Sequence, residues 1–81
     1  MSESVRIFVS FPEQIVERPV VFELVKRFDV VPNIRRANVE DHSGWMILEL
    51  GGPEAARDAA LAYLEDLGCT VSRMEGDVVA G

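Results

Sequence analysis

Residues 30–50 read VVPNIRRANVEDHSGWMILEL, and the pairing of this stretch decides the fold. Its second half, Trp45 to Leu50, is a strong strand. The DHSG segment before it, residues 41–44, supplies a hairpin turn in which Gly44 can take a positive φ. The first half must then pair antiparallel with the second, although Pro32, Asn33, Arg35 and Arg36 stand where β-branched residues would be expected. A strand this polar belongs at a sheet edge, where charged side chains are tolerated and guard against uncontrolled pairing.

Working outward, VRIFVSF at 5–11 puts Val5, Ile7, Val9 and Phe11 on one side and Arg6, Phe8 and Ser10 on the other. That alternation marks a strand with one buried face. Pro12 ends it, and PEQIVER (12–18) reads as a linker to a helix over 19–28, opened by Pro19. In this helix Val21, Leu24, Val25 and Phe28 form the apolar stripe, with Glu23, Lys26 and Arg27 opposite. Downstream of the hairpin, Gly51, Gly52 and Pro53 punctuate before a longer helix whose stripe is Ala56, Ala60, Tyr63, Leu64 and Leu67. Glu54 favours the positive end of its dipole and Gly68 stops it. A last strand is expected over 69–74, beginning at Cys69. The closing EGDVVAG reads as a frayed tail, with the ordered core running from about 5 to 75.

The order β-α-β-β-α-β predicts an α+β, ferredoxin-like two-layer sandwich: a four-stranded antiparallel sheet with both helices on one face. Right-handed crossovers place the first and third strands in the centre and leave the second and fourth as edges. Trp45 is assigned by default to the core under the helices. The other reading lays it on the bare face of the sheet, where Phe8 belongs by parity.

Eighty-one residues, 48% of them apolar, suffice for one domain and one core. Stability on the order of 4 to 12 kcal/mol makes pairing with a second copy energetically significant. The net charge of −6 and the scatter of basic residues, adjacent only at Lys26-Arg27 and Arg35-Arg36, argue against nucleic acid as a partner. A single cysteine excludes an internal disulfide and suits a reducing compartment. There is no export signal at the N-terminus and no apolar run long enough to insert in a membrane. The expectation is a soluble, cytoplasmic protein.

Chemistry-bearing motifs are few. Gly51-Gly52-Pro53 lacks the fuller glycine pattern of a phosphate loop, and Glu54 already occupies the helix terminus. His42 reads as a solvated turn histidine, Cys69 as a half-buried structural thiol, and Glu65-Asp66 as solubilising charge. Acylphosphatase-like chemistry would want an arginine in a cradle after the first strand, where PEQIVER offers only Arg18 among glutamates. A metal chaperone of this topology would want C-x-x-C there, and an RNA-recognition domain would want aromatic central strands in a basic surround. No pair of acid, base or nucleophile emerges, so no enzyme, no cofactor and no metal site is expected.

The segment VPNIRRANVEDHSGWMILELGGPEAARDAALAYLEDLGCTV, with PVVFELVKRFDV upstream, resembles the NIL domain, a relative of the ACT domains. Asn33-Ile34-Arg35 stands at the family's Asn-Ile-Leu motif and departs from it at the third position. The glycine before the third strand, L-E-L-G-G at its end and A-L-A-Y-L-E-D-L-G in the second helix also match. With the first strand included, the resemblance spans 5 to about 75. NIL domains are best known as C-terminal regulatory modules on the ATPase subunit of methionine ABC importers, where bound methionine shuts down transport. They also occur beside ferredoxins in sulfur-amino-acid metabolism and as small free-standing proteins. This chain, from Met1 to a short tail and with no Walker motif or cysteine cluster, reads as free-standing.

The resemblance implies that Asn33 anchors an amino acid at the interface of a homodimer formed through the edge strand. A carboxamide can serve both ammonium and carboxylate. Ile34, with residues near Phe28 and Val31, would wall a thioether. Arg35 in place of leucine could instead pair with a ligand carboxylate, altering the methionine preference. Asn33 reads equally as a residue satisfying the turn after Pro32. The resulting expectation is a regulatory domain that senses an amino acid such as methionine and reports to a transporter or sulfur-metabolism protein. The alternative is a protein–protein interaction module of the same fold with no small ligand.

Overall fold

The computed structural model describes residues 4–74, so the tail at 75–81 lies outside the described residues. Six elements follow in the expected order: β1 (Ser4–Phe11), α1 (Val20–Arg27), β2 (Val31–Val39), β3 (Gly44–Gly51), α2 (Glu54–Asp66) and β4 (Thr70–Arg73). The sheet is antiparallel throughout with strand order β2-β3-β1-β4. β1 and β3 are central, β2 and β4 are the edges, and the architecture is the two-layer α+β sandwich.

Register sorts the side chains into two faces. Ile7 opposite Leu48, Val9 opposite Met46 and Val5 opposite Leu50 face the helices. Ile7, Val9, Leu24, Leu48, Leu50 and Leu64 are the largest fully buried side chains, each contributing roughly 1.5 to 3 kcal/mol by burial. Because Met46, Leu48 and Leu50 claim the helix side, Trp45 must face the other way. It does not enter the core: it stacks on Phe8 across the open face, with ring centroids 5.5 Å apart and planes inclined by 20°.

Both helices begin one residue later than the prolines suggest. The carbonyls of Pro19 and Pro53 accept from the N–H of Glu23 and Arg57, so each proline is the cap and not the first helical residue. α1 buries Val20 and Leu24, while Val25 is 51% exposed. It lies about 100° around the helix from Leu24, off the edge of the buried face made by Val20 and Leu24, and Phe28 is already extended beyond the helix end. α2 buries Leu61 and Arg57 beside Ala60 and Leu64. It ends with Gly68 at φ +99°, the Gly68 N–H bonding to Glu65 O and the Cys69 N–H to Leu64 O, the paired bonds of a Schellman stop. The segment read as a linker is more than a connection: Ile15 is buried in the core and Val16 packs against it.

Candidate functional site

The second strand owes its geometry to a bulge. Val31, Pro32, Asn33 and Ile34 pair in register with Gly51, Leu50, Glu49 and Leu48, after which Arg36 pairs with Ile47, leaving Arg35 as the extra residue. A bulge sets two consecutive side chains on the same side. Arg36 opposite Ile47 thus shares the open face with Arg35, whose Nη1 lies 3.6 Å from Glu49 Oε1. Strict alternation would have driven one arginine toward the helices. The shift also returns Ala37 and Val39 to the helix side, opposite Met46 and Gly44.

Four of the five candidate ligand residues are therefore divided between the two sides of the β2 edge strand, and the fifth, Phe28, lies off it. Val31, Asn33 and Arg35 lie on the open face by register, and Glu49 stands directly opposite Asn33. Glu49 is already engaged, at 3.6 Å from Arg6 and at 3.0 Å from the Ser4 hydroxyl that donates to it. Ile34 lies on the helix side and is 50% exposed. Phe28 follows α1 and meets Tyr63 of α2 edge-on, centroids 5.5 Å apart. A single chain sets Val31, Asn33, Ile34 and Arg35 along the edge strand and packs Phe28 against the core, with no enclosed cavity among the described pockets that joins them.

That edge is also where the apolar surface is. Among the described residues the exposed large hydrophobics are Phe22 and Val25 on α1 and Val31, Ile34 and Val39 on β2. Near the Val39 end a groove of about 340 Å³ opens between the 12–18 segment, α1 and the sheet, walled by Phe11, Ile15, Pro19, Phe22, Val39 and Met46. None of the five candidates lines it. No local sequence pattern marks this groove, because it depends on Ile15 and on the parity change at the bulge.

Polar contacts elsewhere fasten elements together. Glu23 accepts from Arg18 Nε at 2.8 Å and from the Tyr63 hydroxyl at 2.5 Å, while Arg18 Nη2 donates to that hydroxyl at 3.3 Å. The Arg18 bond, followed by that of Tyr63, holds the Glu23 carboxyl below its ordinary range, and Glu23 in turn raises Arg18. The Arg27 guanidinium sits 4.8 Å above the Tyr63 ring, so α1, α2 and the segment before α1 converge on one tyrosine. His42 is held by Glu13, with Nδ1 2.7 Å from Oε2. Both are largely exposed, and Gln14, Glu17 and Asp41 share their open depression, which offers no nucleophile. Cys69 is buried more deeply than the half-buried expectation, and burial pushes its thiol pKa up. No group of three or more His, Cys, Asp or Glu among the described residues is placed to hold a metal ion. No described helix is long and apolar enough to cross a membrane.

Comparison with known proteins agrees with this frame. The family model of the NIL domain matches residues 5–73. No curated protein matches the chain. Among solved structures, the C-terminal domain of an ABC transporter ATP-binding protein from Enterococcus faecalis is similar with a TM-score of 0.76 and 19% identity, over 86% of this chain and 82% of that one. At that identity the likeness speaks for the fold.

Proposed function

The chain belongs to the NIL domain family, and we propose that it is a regulatory ligand-binding domain sensing an amino acid such as methionine at the seam of a homodimer. The family match over residues 5–73 carries this reading. Its physical support is the β2 edge: an outermost strand with Asn33 on one face, Ile34 on the other, and apolar side chains exposed along its length and on α1 beside it. A second copy added there would cover those side chains. It would also enclose a ligand between carboxamide, backbone polar groups and an aliphatic wall, which one copy leaves open. Arg35, already facing Glu49, could exchange that partner for a ligand carboxylate.

Domains of this kind act by passing occupancy to another protein. We take that protein to be a transporter or a sulfur-metabolism protein; the solved C-terminal domain of a transporter ATP-binding protein supports the first of these only. An interaction module with no small ligand remains the competing reading, and the exposed apolar edge favours it as much as it favours a seam.

A thermal-shift panel of amino acids separates the two. A true ligand at a hundred times its dissociation constant stabilises by about 2.7 kcal/mol, whereas a module without a small ligand responds to none. Calorimetric titration of methionine into wild type and Asn33→Ala then tests the anchor, with affinity expected to fall by about tenfold, the loss of one or two hydrogen bonds. Unchanged affinity removes Asn33 from the site.

A further inference from the structure

The face of the sheet away from the helices carries its own pattern. At its centre, on the two middle strands, Phe8 stacks on Trp45, and Ile47 stands opposite Phe8. Around them lie Arg6 on β1 and Arg35 and Arg36 on β2, with Ser72 and Thr70 on the β4 side. The chain as a whole is −6, yet this face gathers three of its eight basic residues. Glu49 engages Arg6 and Arg35, while exposed Arg36 makes no ion pair with another described residue. An aromatic pair flanked on its β2 side by arginines has the composition of an interaction hot spot, where a ring anchors and guanidinium groups seek carboxylates.

We propose that this helix-free face is a docking surface for a partner protein that sets an apolar side chain against Phe8 and Trp45 and carboxylates against Arg35 and Arg36. Charge selects the occupant. A second copy laid face to face would oppose two net-positive surfaces, each with Arg6, Arg35 and Arg36 against Glu49, while pairing through β2 leaves the face open. Single-stranded nucleic acid fits less well, because its bases need separate rings to stack on and a basic groove. Here the two rings stack on each other, and the rest of the chain is net acidic by composition.

Trp45 is the only tryptophan, so its fluorescence reports this face alone. The probes are tryptophan-free peptides selected from a random display library against the whole chain. The selected sequences are expected to pair aspartate or glutamate with leucine, isoleucine or phenylalanine, to shift Trp45 emission saturably, and to bind more weakly as salt rises. Arg36→Glu and, independently, Ser72→Glu change exposed positions on either side of the aromatic pair. Each should weaken binding by about tenfold with the thermal midpoint kept. The proposal is overturned if no peptide is selected, if the selected peptides bind both variants as well as wild type, or if they leave Trp45 emission unmoved. A single-stranded oligonucleotide that moves the emission where peptides do not assigns the face to nucleic acid. Emission that changes with protein concentration alone assigns it to a second copy. Either result also defeats the proposal.

Discussion

Gly52 shows how one residue can hold two turns in place. Its φ is +122°, and a Cβ added there would stand 2.6 Å from Asp29 O, at the turn between α1 and β2. The buried Arg57 donates to the Gly52 carbonyl at 3.0 Å, tying the start of α2 to the same point. Gly52→Ala therefore combines a disfavoured backbone with a clash against a carbonyl. We expect a loss of more than about 1 kcal/mol, read as a lower urea midpoint with an unchanged slope. Glu23 supplies a pH dependence. Its carboxyl pKa is depressed in the folded protein by Arg18 and then Tyr63, so its contribution is present above the ordinary carboxylate range and disappears as pH falls through the depressed value. Glu23→Gln should lower stability at neutral pH, and the gap to wild type should close in acid when both are unfolded by urea across that range.

At the scale of the element, the bulge in β2 resolves the two adjacent arginines that make the strand look unsuitable. Only one residue, Arg35, is extra: pairing on both sides of it already matches β3. Deleting Arg35 should close the ladder without moving Asn33 or Val39 relative to β3, leaving the thermal midpoint within a few degrees, about the effect of 1 kcal/mol. Deleting Ala37 instead leaves the bulge in place and turns the following residues to the wrong face, which should cost far more. Comparing the two melting curves tests the register directly. α1 illustrates the opposite limit of sequence reading. Its stripe was legible through Leu24 and Phe28, but with only eight residues the helix buries a narrow face, and Val25 falls outside it.

For the whole molecule, the informative asymmetry is that the exposed large hydrophobics of the described residues fall on α1 and β2 and on no other element. If that edge meets a second copy, a charge placed there should split the pair without weakening the single chain. Ile34→Lys, at a half-exposed position, is expected to raise the dimer dissociation constant by at least about tenfold in sedimentation equilibrium, the expense of desolvating an unpaired cation. A dimer unaffected by Ile34→Lys would place the seam elsewhere.

The order of elements, the central and edge strands, a hairpin between β2 and β3 and the helix stop at Gly68 were all determined by the sequence itself, whereas Gly44, expected to take a positive φ in the turn, is instead the first paired residue of β3 and has none. Alternation, glycine and proline positions and connection lengths act locally or through rules that few topologies satisfy. Even the placement of Trp45 was written in the parity of Met46, Leu48 and Leu50, and only its hydrophobicity argued otherwise. Three things were decided by the tertiary structure: the burial of Ile15, the bulge at Arg35, and the gathering of arginines around Phe8 and Trp45. Each depends on which residues meet between separate elements, and not on the pattern of any one segment. A one-residue slip in pairing reverses every face beyond it, and nothing within β2 alone records where that slip occurs.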